Sequence, residues 1–378
     1  TLKEPYIAAS RPGPLDLMGR IGWGRLPDML ALKPFSTMWG ALGRYFDDAR
    51  LQQLFGRYAT YCGSSPYMSP ATLMLVAHVE QAGVWLVNGG MAGLAQALAG
   101  VAERQGATFH FGCGVQRLIV DHGAAAGIVL DDGRRVAADY VIYNGDVNAL
   151  GALLDGQGSV GAAKPVEPSQ RSLSALTFCA EVDVADYPLL HHTVFFSDDY
   201  RAEFDDIFKH RVIPRQPTTY ICAQDRTDDG AVAMGAKQER LLCLINAPAD
   251  GDQRAFSESE IERCRTNMQN LLSRCGMTLT LNPTQTTPTS PAQFNQLFPM
   301  SGGALYGRAS HGWMASFQRA GAKTPVPGLY LAGGSVHPGP GVPMAALSGM
   351  QAAAQLVADR VSMPKFRPVV TSGGMSTA

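Results

Sequence analysis

The stretch PGLYLAGGSVHPGPGVPMAALSGMQAAAQLVAD, residues 327–359, decides the fold. Its apolar run Gly328–Ala332 is short and lies between a proline and two glycines, which predicts a buried strand. The glycines of the following turn allow positive φ and close approach of another molecule, and Pro343 suits the first turn of a helix. Residues Met344–Asp359 are predicted to form that helix, and their alanines are predicted to form a flat ridge along one face of it. Such a turn presents free N–H groups to a phosphate or a flavin, and a purely structural turn is the alternative.

A second segment, residues 88–146, repeats the pattern of glycines followed by a helix. The apolar residues of this helix recur every three or four positions, which predicts one buried face. Strands are predicted at Ala107–Phe111 and Val115–Val120. An Asp-Asp-Gly turn at 131–133 lies between two strand-like runs and predicts a hairpin. The apolar run Ala138–Tyr143 predicts a further buried strand.

Several stretches of these segments carry a family likeness. They are GGMAGLAQAL (89–98), YNGD (143–146) and LYLAGGSVHPGPGVP (329–343), and elsewhere LFGRYATYC (54–62), FFSDDYRAEF (195–204) and GALYGRASHGWM (303–314). The first three resemble the phytoene desaturase family of FAD-dependent carotenoid oxidoreductases. The last three are most similar to the 1-hydroxycarotenoid 3,4-desaturases within that family. The resemblance covers most of the chain.

The resemblance implies an α/β fold with a Rossmann-like FAD-binding domain of the glutathione-reductase or amine-oxidase type and an inserted β-rich substrate domain. The expected division is a helical region facing substrate or membrane (1–87), the second part of the FAD-binding domain (88–150), the β-rich substrate domain (151–300), the C-terminal part of the FAD-binding domain (301–362) and a flexible tail (363–378). In the inserted domain, short β-rich runs predict a mainly antiparallel sheet, and Ser257–Glu260 predicts the capping box of a helix.

The resemblance also implies the binding residues. FAD is the expected cofactor, and its candidate ligands are Val115, Gly333, Gly334, His337, Gly341, Val342 and Met344. His311 is the candidate catalytic residue, with Tyr306 and Trp313 as candidate substrate contacts, because all three precede the glycine turn. A purely structural histidine is the alternative for His311.

The activity implied is desaturation in carotenoid biosynthesis. A hydride would pass from an acyclic 1-hydroxycarotenoid to flavin, a neighbouring proton would be lost, and a C3–C4 double bond would form. Alternatives on the same fold are another carotene desaturase, a carotenoid isomerase or an amine oxidase. An inactive lipid-binding fragment is the alternative from a different class. The sequence contains no Ser/His/Asp or H-E-x-x-H motif, which is consistent with chemistry supplied by a cofactor.

The sequence departs from the family at its beginning. The family opens with a strand, a G-x-G-x-x-G turn and a helix that hold the FAD pyrophosphate. The glycine cluster at positions 19, 22 and 24 follows no strand and opens no apolar-periodic helix. We therefore expect the chain to be an N-terminally truncated piece of a longer flavoprotein.

Composition excludes some partner classes. Net charge is −1 with scattered basic residues, so no electrostatic footprint for nucleic acid is present. Charged residues make up 17% of the chain, below the ~25% typical of soluble domains, which favours apolar partners. The seven cysteines form no C-x-x-C motif and predict reduced core thiols in the cytoplasm, without a metal or a disulfide.

The first 85 residues are rich in large apolar side chains, among them Trp23, Leu30, Phe35 and Trp39. They either cover a core or dip into a bilayer surface, where tryptophan anchors well. No apolar run reaches the ~18 residues of a membrane-spanning helix. A carotenoid dissolves in membrane, so peripheral association with the membrane surface is the expected location.

Overall fold

Strands from both halves of the chain form three sheets. The computed structural model describes residues 3–154, 164–184, 187–227, 229–232 and 235–362; the tail predicted at 363–378 lies outside these ranges. The strands are β1 (Val115–Asp121), β2 (Ala124–Leu130), β3 (Arg135–Ala137), β4 (Val141–Tyr143), β5 (Ser174–Asp183), β6 (His192–Phe195), β7 (Thr219–Ala223), β8 (Gln238–Ala247), β9 (Thr286–Thr289) and β10 (Leu329–Leu331). The α-helices are α1 (Pro14–Ile21), α2 (Leu26–Ala31), α3 (Met38–Leu42), α4 (Ala49–Gly56), α5 (Leu75–Gln81), α6 (Gly90–Arg104), α7 (Leu150–Leu154), α8 (Tyr200–Asp205), α9 (Glu258–Arg274), α10 (Pro291–Leu297) and α11 (Val342–Ser362).

The strand that opens the glycine turn pairs with a strand from the first half of the chain. β10 lies parallel to β4, with Leu329 opposite Val141. Ala332 extends the pairing by donating its N–H to the Tyr143 carbonyl at 3.0 Å. Every residue of β10 is buried, as the short apolar run predicted. The strand, turn and helix predicted within 327–359 are therefore confirmed.

Strands β1, β2 and β3 form a separate antiparallel sheet. The predicted turn at 131–133 joins β2 to β3, and Gly133 takes a φ of +84°, so the hairpin prediction is confirmed. The strand predicted at Ala107–Phe111 is wrong, since this segment forms no strand and Phe111 is 86% exposed. None of the described strands runs beside it, so its alternating apolar residues have no ladder to join.

The largest sheet has the strand order β6-β7-β8-β5-β9, and all its pairings are antiparallel. The predicted antiparallel sheet is therefore confirmed. One face of α9 packs on it, with Met268 and Leu272 buried against Leu241 and Ile245. Burying such side chains stabilises the fold by about 1.5–3 kcal/mol each.

Helix α9 begins at the predicted capping box. Ser257 accepts a hydrogen bond from the Glu260 N–H, and the Glu260 carboxylate accepts the Ser257 N–H at 3.1 Å. Two backbone donors that the helix itself cannot satisfy are thus paired.

The N-terminal region buries some large apolar side chains and exposes others. Met38 and Leu42 of α3 are buried, whereas Trp23, Leu30 and Phe35 are 61%, 52% and 70% exposed. The core interpretation therefore holds for α3 and is wrong for these three residues. No described helix combines the length and the hydropathy needed to cross a membrane.

Helix α6 and the cysteines are more exposed than predicted. The buried face predicted for α6 is wrong, because Met91, Leu98 and Val101 are exposed and no described element packs closely over them. Of the cysteines, Cys243 and Cys264 are buried, as predicted for core thiols. The remaining five are partly or fully exposed, because their positions in the strands, helices and loops point away from the core.

Candidate flavin and substrate site

The turn between β10 and α11 contains glycines in a backbone conformation that other residues rarely adopt. Gly333 has a φ of +113°, and a Cβ there would lie 2.7 Å from Asn144 Oδ1. Its N–H donates to Ser348 Oγ at 2.7 Å, which ties the turn to α11. Gly341, with a φ of +108°, accepts a hydrogen bond from the Ala345 N–H at 2.9 Å. These contacts hold the start of α11 close to β10.

The start of α11 is accessible and suits a nucleotide cofactor. Gly341 and Val342 are exposed, and Met344 is half-buried beside them. The first N–H groups of a helix have no intrahelical partners, and the helix dipole makes this end attractive to anions. A Cβ on Gly334 would meet nothing within 4 Å, so the turn has open space beside it. The surroundings of five predicted cofactor ligands, those of the turn and helix start, therefore suit a flavin nucleotide.

The two remaining predicted cofactor ligands, His337 and Val115, have different surroundings. His337 is buried, and its Nε2 donates to the carbonyls of Tyr6 and Ala9 at 2.9 and 3.1 Å. Burial lowers the pKa of His337. Val115 begins β1, is exposed, and pairs with Leu130. His337 therefore ties the N-terminal segment to the glycine turn.

A buried arginine that the sequence analysis did not single out connects the turn to the segment before it. Arg319 Nη1 donates to the carbonyls of Tyr306 and Gly334 at 3.0 and 3.3 Å. Burial lowers the pKa of Arg319, and the carbonyl groups compensate the guanidinium by hydrogen bonding. Gly307 lies against the turn, where a Cβ would be 2.8 Å from Ser335 Cβ. Tyr306 is thereby held beside the glycine turn.

Tyr306 forms part of the wall of a largely apolar cavity of about 690 Å³. Helices α4 and α5 and strands β6, β7 and β8 contribute to its wall. The lining residues are mostly aliphatic and aromatic: Leu54, Arg57, Tyr58, Thr60, Tyr61, Val76, Val79, Glu80, Val84, Leu173, His192, Val194, Phe196, Tyr220, Leu244, Asn246, Leu305 and Tyr306. A cavity of this size and composition suits part of a long hydrocarbon chain.

Several polar side chains interrupt this lining, among them Arg57 and Asn246. Arg57 is 7% exposed, and its Nε and Nη1 have no hydrogen-bond partner among the described residues. Asn246 donates its Nδ2 to Oε1 of the buried Glu203 at 3.3 Å. Neither was predicted. The available signal for Arg57 was a charged residue inside an aromatic-rich run, whereas Asn246 lies in an ordinary strand pattern.

His311 and Trp313 do not line the cavity. His311 Nε2 accepts the Ser65 N–H at 3.0 Å, and burial lowers the pKa of His311 to about 4, so the ring is neutral at pH 7. The Trp313 ring lies edge-on to Phe35, 5.5 Å between centroids. Of these predicted substrate and catalytic residues, the structure brings Tyr306 to the cavity wall.

A group of metal-ligating side chains lies next to the cavity. One ligand atom each from His191, His192 and Cys222 lie within 4.8 Å of one another. His192 Nδ1 is hydrogen-bonded to the Tyr220 hydroxyl at 2.7 Å, and His191 Nδ1 donates to the Arg226 carbonyl at 2.9 Å. Burial raises the pKa of the Cys222 thiol, which disfavours the thiolate that binds metals. The absence of a resident metal stays a prediction.

Comparison with known proteins identifies relatives along the whole chain. The profile of the flavin containing amine oxidoreductase family matches residues 33–357. A protein named hydroxyneurosporene desaturase from Rubrivivax gelatinosus is 51% identical over 376 residues, which are 100% of this chain and 71% of the relative. A protein of the same name from Cereibacter sphaeroides is 42% identical over 88% of this chain and 66% of its own length. The chain thus spans roughly two thirds of these relatives.

Solved structures share the fold at low identity. An oxidoreductase from Methanosarcina mazei has a TM-score of 0.55 and 19% identity, over 91% of this chain and 73% of the other. A putrescine oxidase has a TM-score of 0.52 and 15% identity, over 86% of this chain and 68% of the other.

Proposed function

Because the chain belongs to the flavin containing amine oxidoreductase family, we propose that it takes part in FAD-dependent desaturation of an acyclic 1-hydroxycarotenoid in carotenoid biosynthesis. The family confirms the predicted flavin cofactor and the FAD-binding fold of the amine-oxidase type. The resemblance to carotenoid desaturases is confirmed by 51% identity to a named desaturase. The proposed new double bond joins C3 and C4.

The cavity beside Tyr306 is the observation that carries this proposal. Its wall is apolar, and Arg319 joins the Tyr306 wall to the glycine turn through two carbonyl groups. A hydrocarbon in the cavity would therefore lie close to a cofactor held at the turn. The aliphatic and aromatic wall excludes water, which protects a hydride transfer from competing reactions.

The cofactor ligands predicted from the sequence keep their roles in the proposal. Gly341, Val342 and Met344 would offer backbone N–H groups and a positive helix end to the cofactor, and Gly333 and Gly334 would allow it to approach the turn. Val115 and His337 would contact it from the neighbouring segments. When bound, FAD supplies a two-electron acceptor for the hydride.

His311 stays the candidate for accepting the proton that leaves the substrate. At neutral pH the ring is uncharged, with its pKa lowered to about 4 by burial. The Ser65 N–H occupies the lone pair of Nε2, and Nδ1 then carries the ring hydrogen, so His311 could take up a proton only at Nε2 and only by releasing the Ser65 N–H. A base with so low a pKa holds a proton briefly and passes it on to solvent.

Peripheral membrane association completes the proposal. Trp23, Leu30 and Phe35 are exposed apolar side chains in one N-terminal stretch. Inserting a few such side chains, at about 1.5–3 kcal/mol each, supports reversible binding to a bilayer from which the substrate can be taken up.

The proposal is tested by incubating the flavin-loaded protein with acyclic carotenes that carry or lack a 1-hydroxyl group. An added conjugated double bond moves the absorbance of the product to longer wavelength, and mass spectrometry should show the loss of two hydrogens. Loss of activity toward every carotene, with oxidation of amines instead, would assign the amine-oxidase alternative. A change of double-bond geometry at constant mass would assign an isomerase, and a protein that binds carotenoid without flavin would be a lipid binder.

A further inference from the structure

Arg57 differs from the other buried arginines of the described chain. Arg171 and Arg226 each donate to a carboxylate at 2.7 Å, and Arg319 donates to backbone carbonyls. In Arg57, both Nε and Nη1 are buried without a partner among the described residues. An unpaired buried cation is strongly unfavourable, and a buried polar group without a partner calls for a ligand or a specific role.

The backbone segment that carries Arg57 is held in place by several contacts. Arg57 begins a 3-10 helix in which Thr60 Oγ1 donates to the Arg57 carbonyl at 2.7 Å. Gly63 closes this helix with a φ of +64°, and a Cβ there would lie 2.5 Å from the Tyr306 ring. The Gly63 carbonyl accepts the Leu173 N–H at 2.8 Å. The segment that carries Arg57 is therefore fixed to the cavity wall at Tyr306 and Leu173.

The charge of Arg57 acts on the side chains around the cavity. Burial raises the pKa values of Tyr61, Tyr220 and Tyr306, and the nearby Arg57 charge lowers them by a smaller amount. All three tyrosines line the cavity together with Arg57. Glu80 also lines the cavity, where its carboxylate accepts a hydrogen bond from the Tyr58 hydroxyl, so a ligand there lies near both Arg57 and one acidic side chain.

Glu203 carries a buried carboxylate on which the charge of Arg57 acts, but this carboxylate is hydrogen-bonded to other residues. Its Oε2 accepts the Thr218 N–H at 3.2 Å, and its Oε1 accepts from Asn246 Nδ2 at 3.3 Å. Burial raises the pKa of Glu203, and the charge of Arg57 is one of the smaller effects that lower it. A carboxylate close to the site opposes a second anion, so an uncharged oxygen is the ligand that fits.

We propose that Arg57 and Asn246 form a polar subsite that binds an uncharged oxygen at the end of an otherwise apolar substrate, namely the tertiary hydroxyl of a 1-hydroxycarotenoid. The hydroxyl oxygen accepts from the guanidinium, and its proton is donated to Asn246 Oδ1. Holding this end of the chain sets which carbon–carbon bond lies next to Tyr306. The subsite rests on the proposed function and adds the reason why a hydroxylated carotenoid is preferred.

The test compares three carotenes that differ only in the end group, which is hydroxyl, methoxyl or hydrogen, in the wild-type holoprotein and in Arg57→Met. The wild type should prefer the two oxygenated substrates in kcat/KM by roughly 10- to 150-fold, the range for one hydrogen bond from a charged donor. Arg57→Met should lose this preference, because kcat/KM for the two oxygenated carotenes should fall to the value that the same variant shows with the unhydroxylated carotene. Arg57→Lys should recover part of it, and Arg44→Met, which changes an exposed arginine, should behave as wild type.

The outcomes separate the subsite from the activity itself. Absence of desaturation with all three carotenes in the wild type contradicts the proposed function. Desaturation of all three with equal kcat/KM in the wild type overturns the subsite, even where Arg57→Met fails to fold. An unchanged preference in folded Arg57→Met also overturns it. Tighter binding of a polyene ending in a carboxylate, abolished by Arg57→Met, would replace the uncharged oxygen by an anion as the ligand.

Discussion

Replacing Gly333 by alanine is expected to destabilise the turn between β10 and α11. A φ of +113° is one that side chains rarely adopt, and such strain costs about 1–3 kcal/mol. The added Cβ would also lie 2.7 Å from Asn144 Oδ1. Moving the backbone or the Asn144 side chain to relieve this overlap costs about 1–3 kcal/mol more. The free energy of unfolding should therefore fall by about 2–6 kcal/mol.

The assay is urea unfolding followed by circular dichroism, with Gly334→Ala as the matched neighbour. Gly334 has no positive φ and nothing within 4 Å of an added Cβ, so its free energy of unfolding should change by less than about 0.5 kcal/mol. When Asn144→Ala is added to Gly333→Ala, the part of the unfolding free energy that was lost to the overlap should be recovered. The part that was lost to the unfavourable φ should stay lost. Identical unfolding midpoints for wild type and both glycine variants would refute the reasoning.

Further outcomes are expected at other positions. Gly341→Val, at a φ of +108°, should remove the visible flavin absorbance from the purified holoprotein while the five-stranded sheet keeps its circular dichroism signal. Replacing Trp23, Leu30 and Phe35 together by serine should leave the protein folded and abolish co-sedimentation with liposomes; unfolding would contradict their exposure. His311 has a pKa of about 4 when folded and about 6.5 when unfolded, so unfolding takes up a proton between these values and stability falls as pH drops from 6.5 to 4, by at most about 3 kcal/mol. His311→Gln should flatten this part of the pH profile in urea titrations, and an unchanged profile would show that the histidine is not buried. Dialysis against EDTA should leave flavin content and turnover unchanged, and loss of either would reveal a metal.

The elements that the sequence predicted correctly have strong local signals. The Asp-Asp-Gly turn at 131–133 fixes its own backbone, and Ser257 with Glu260 satisfies helix donors within one turn. The prediction of a strand at Ala107–Phe111 is wrong because alternating apolar residues form a strand only where a neighbouring strand pairs with them, and none of the described strands does so here. The prediction of a buried face on α6 is wrong for a similar reason. A helix buries its apolar face only where another element packs over it, and the sequence of the helix does not show whether one does.

The part of the candidate site that is one continuous stretch of sequence was predictable. The parts that the fold brings together from distant segments were not. The turn and helix start around Gly341 are one stretch, so their glycines could be recognised. Arg319 acquires its role only from carbonyl groups at Tyr306 and Gly334 that the fold brings to it. Arg57 and Asn246 meet at one cavity from a helical segment and a strand far apart in the chain, and no local pattern encodes that meeting.

The parallel pairing of β4 with β10 also sets an order of folding events. Strand β4 is synthesised roughly 190 residues before its partner, which at ~5–20 residues per second is a wait of about 10–40 s on the ribosome. All strands of the five-stranded sheet lie between Ser174 and Thr289, so that sheet can complete its ladder earlier. His337, which holds the carbonyls of Tyr6 and Ala9, emerges later still. Until β10 is synthesised, the edge of β4 that it will pair with stays open to association with other strands, while the five-stranded sheet can already have formed.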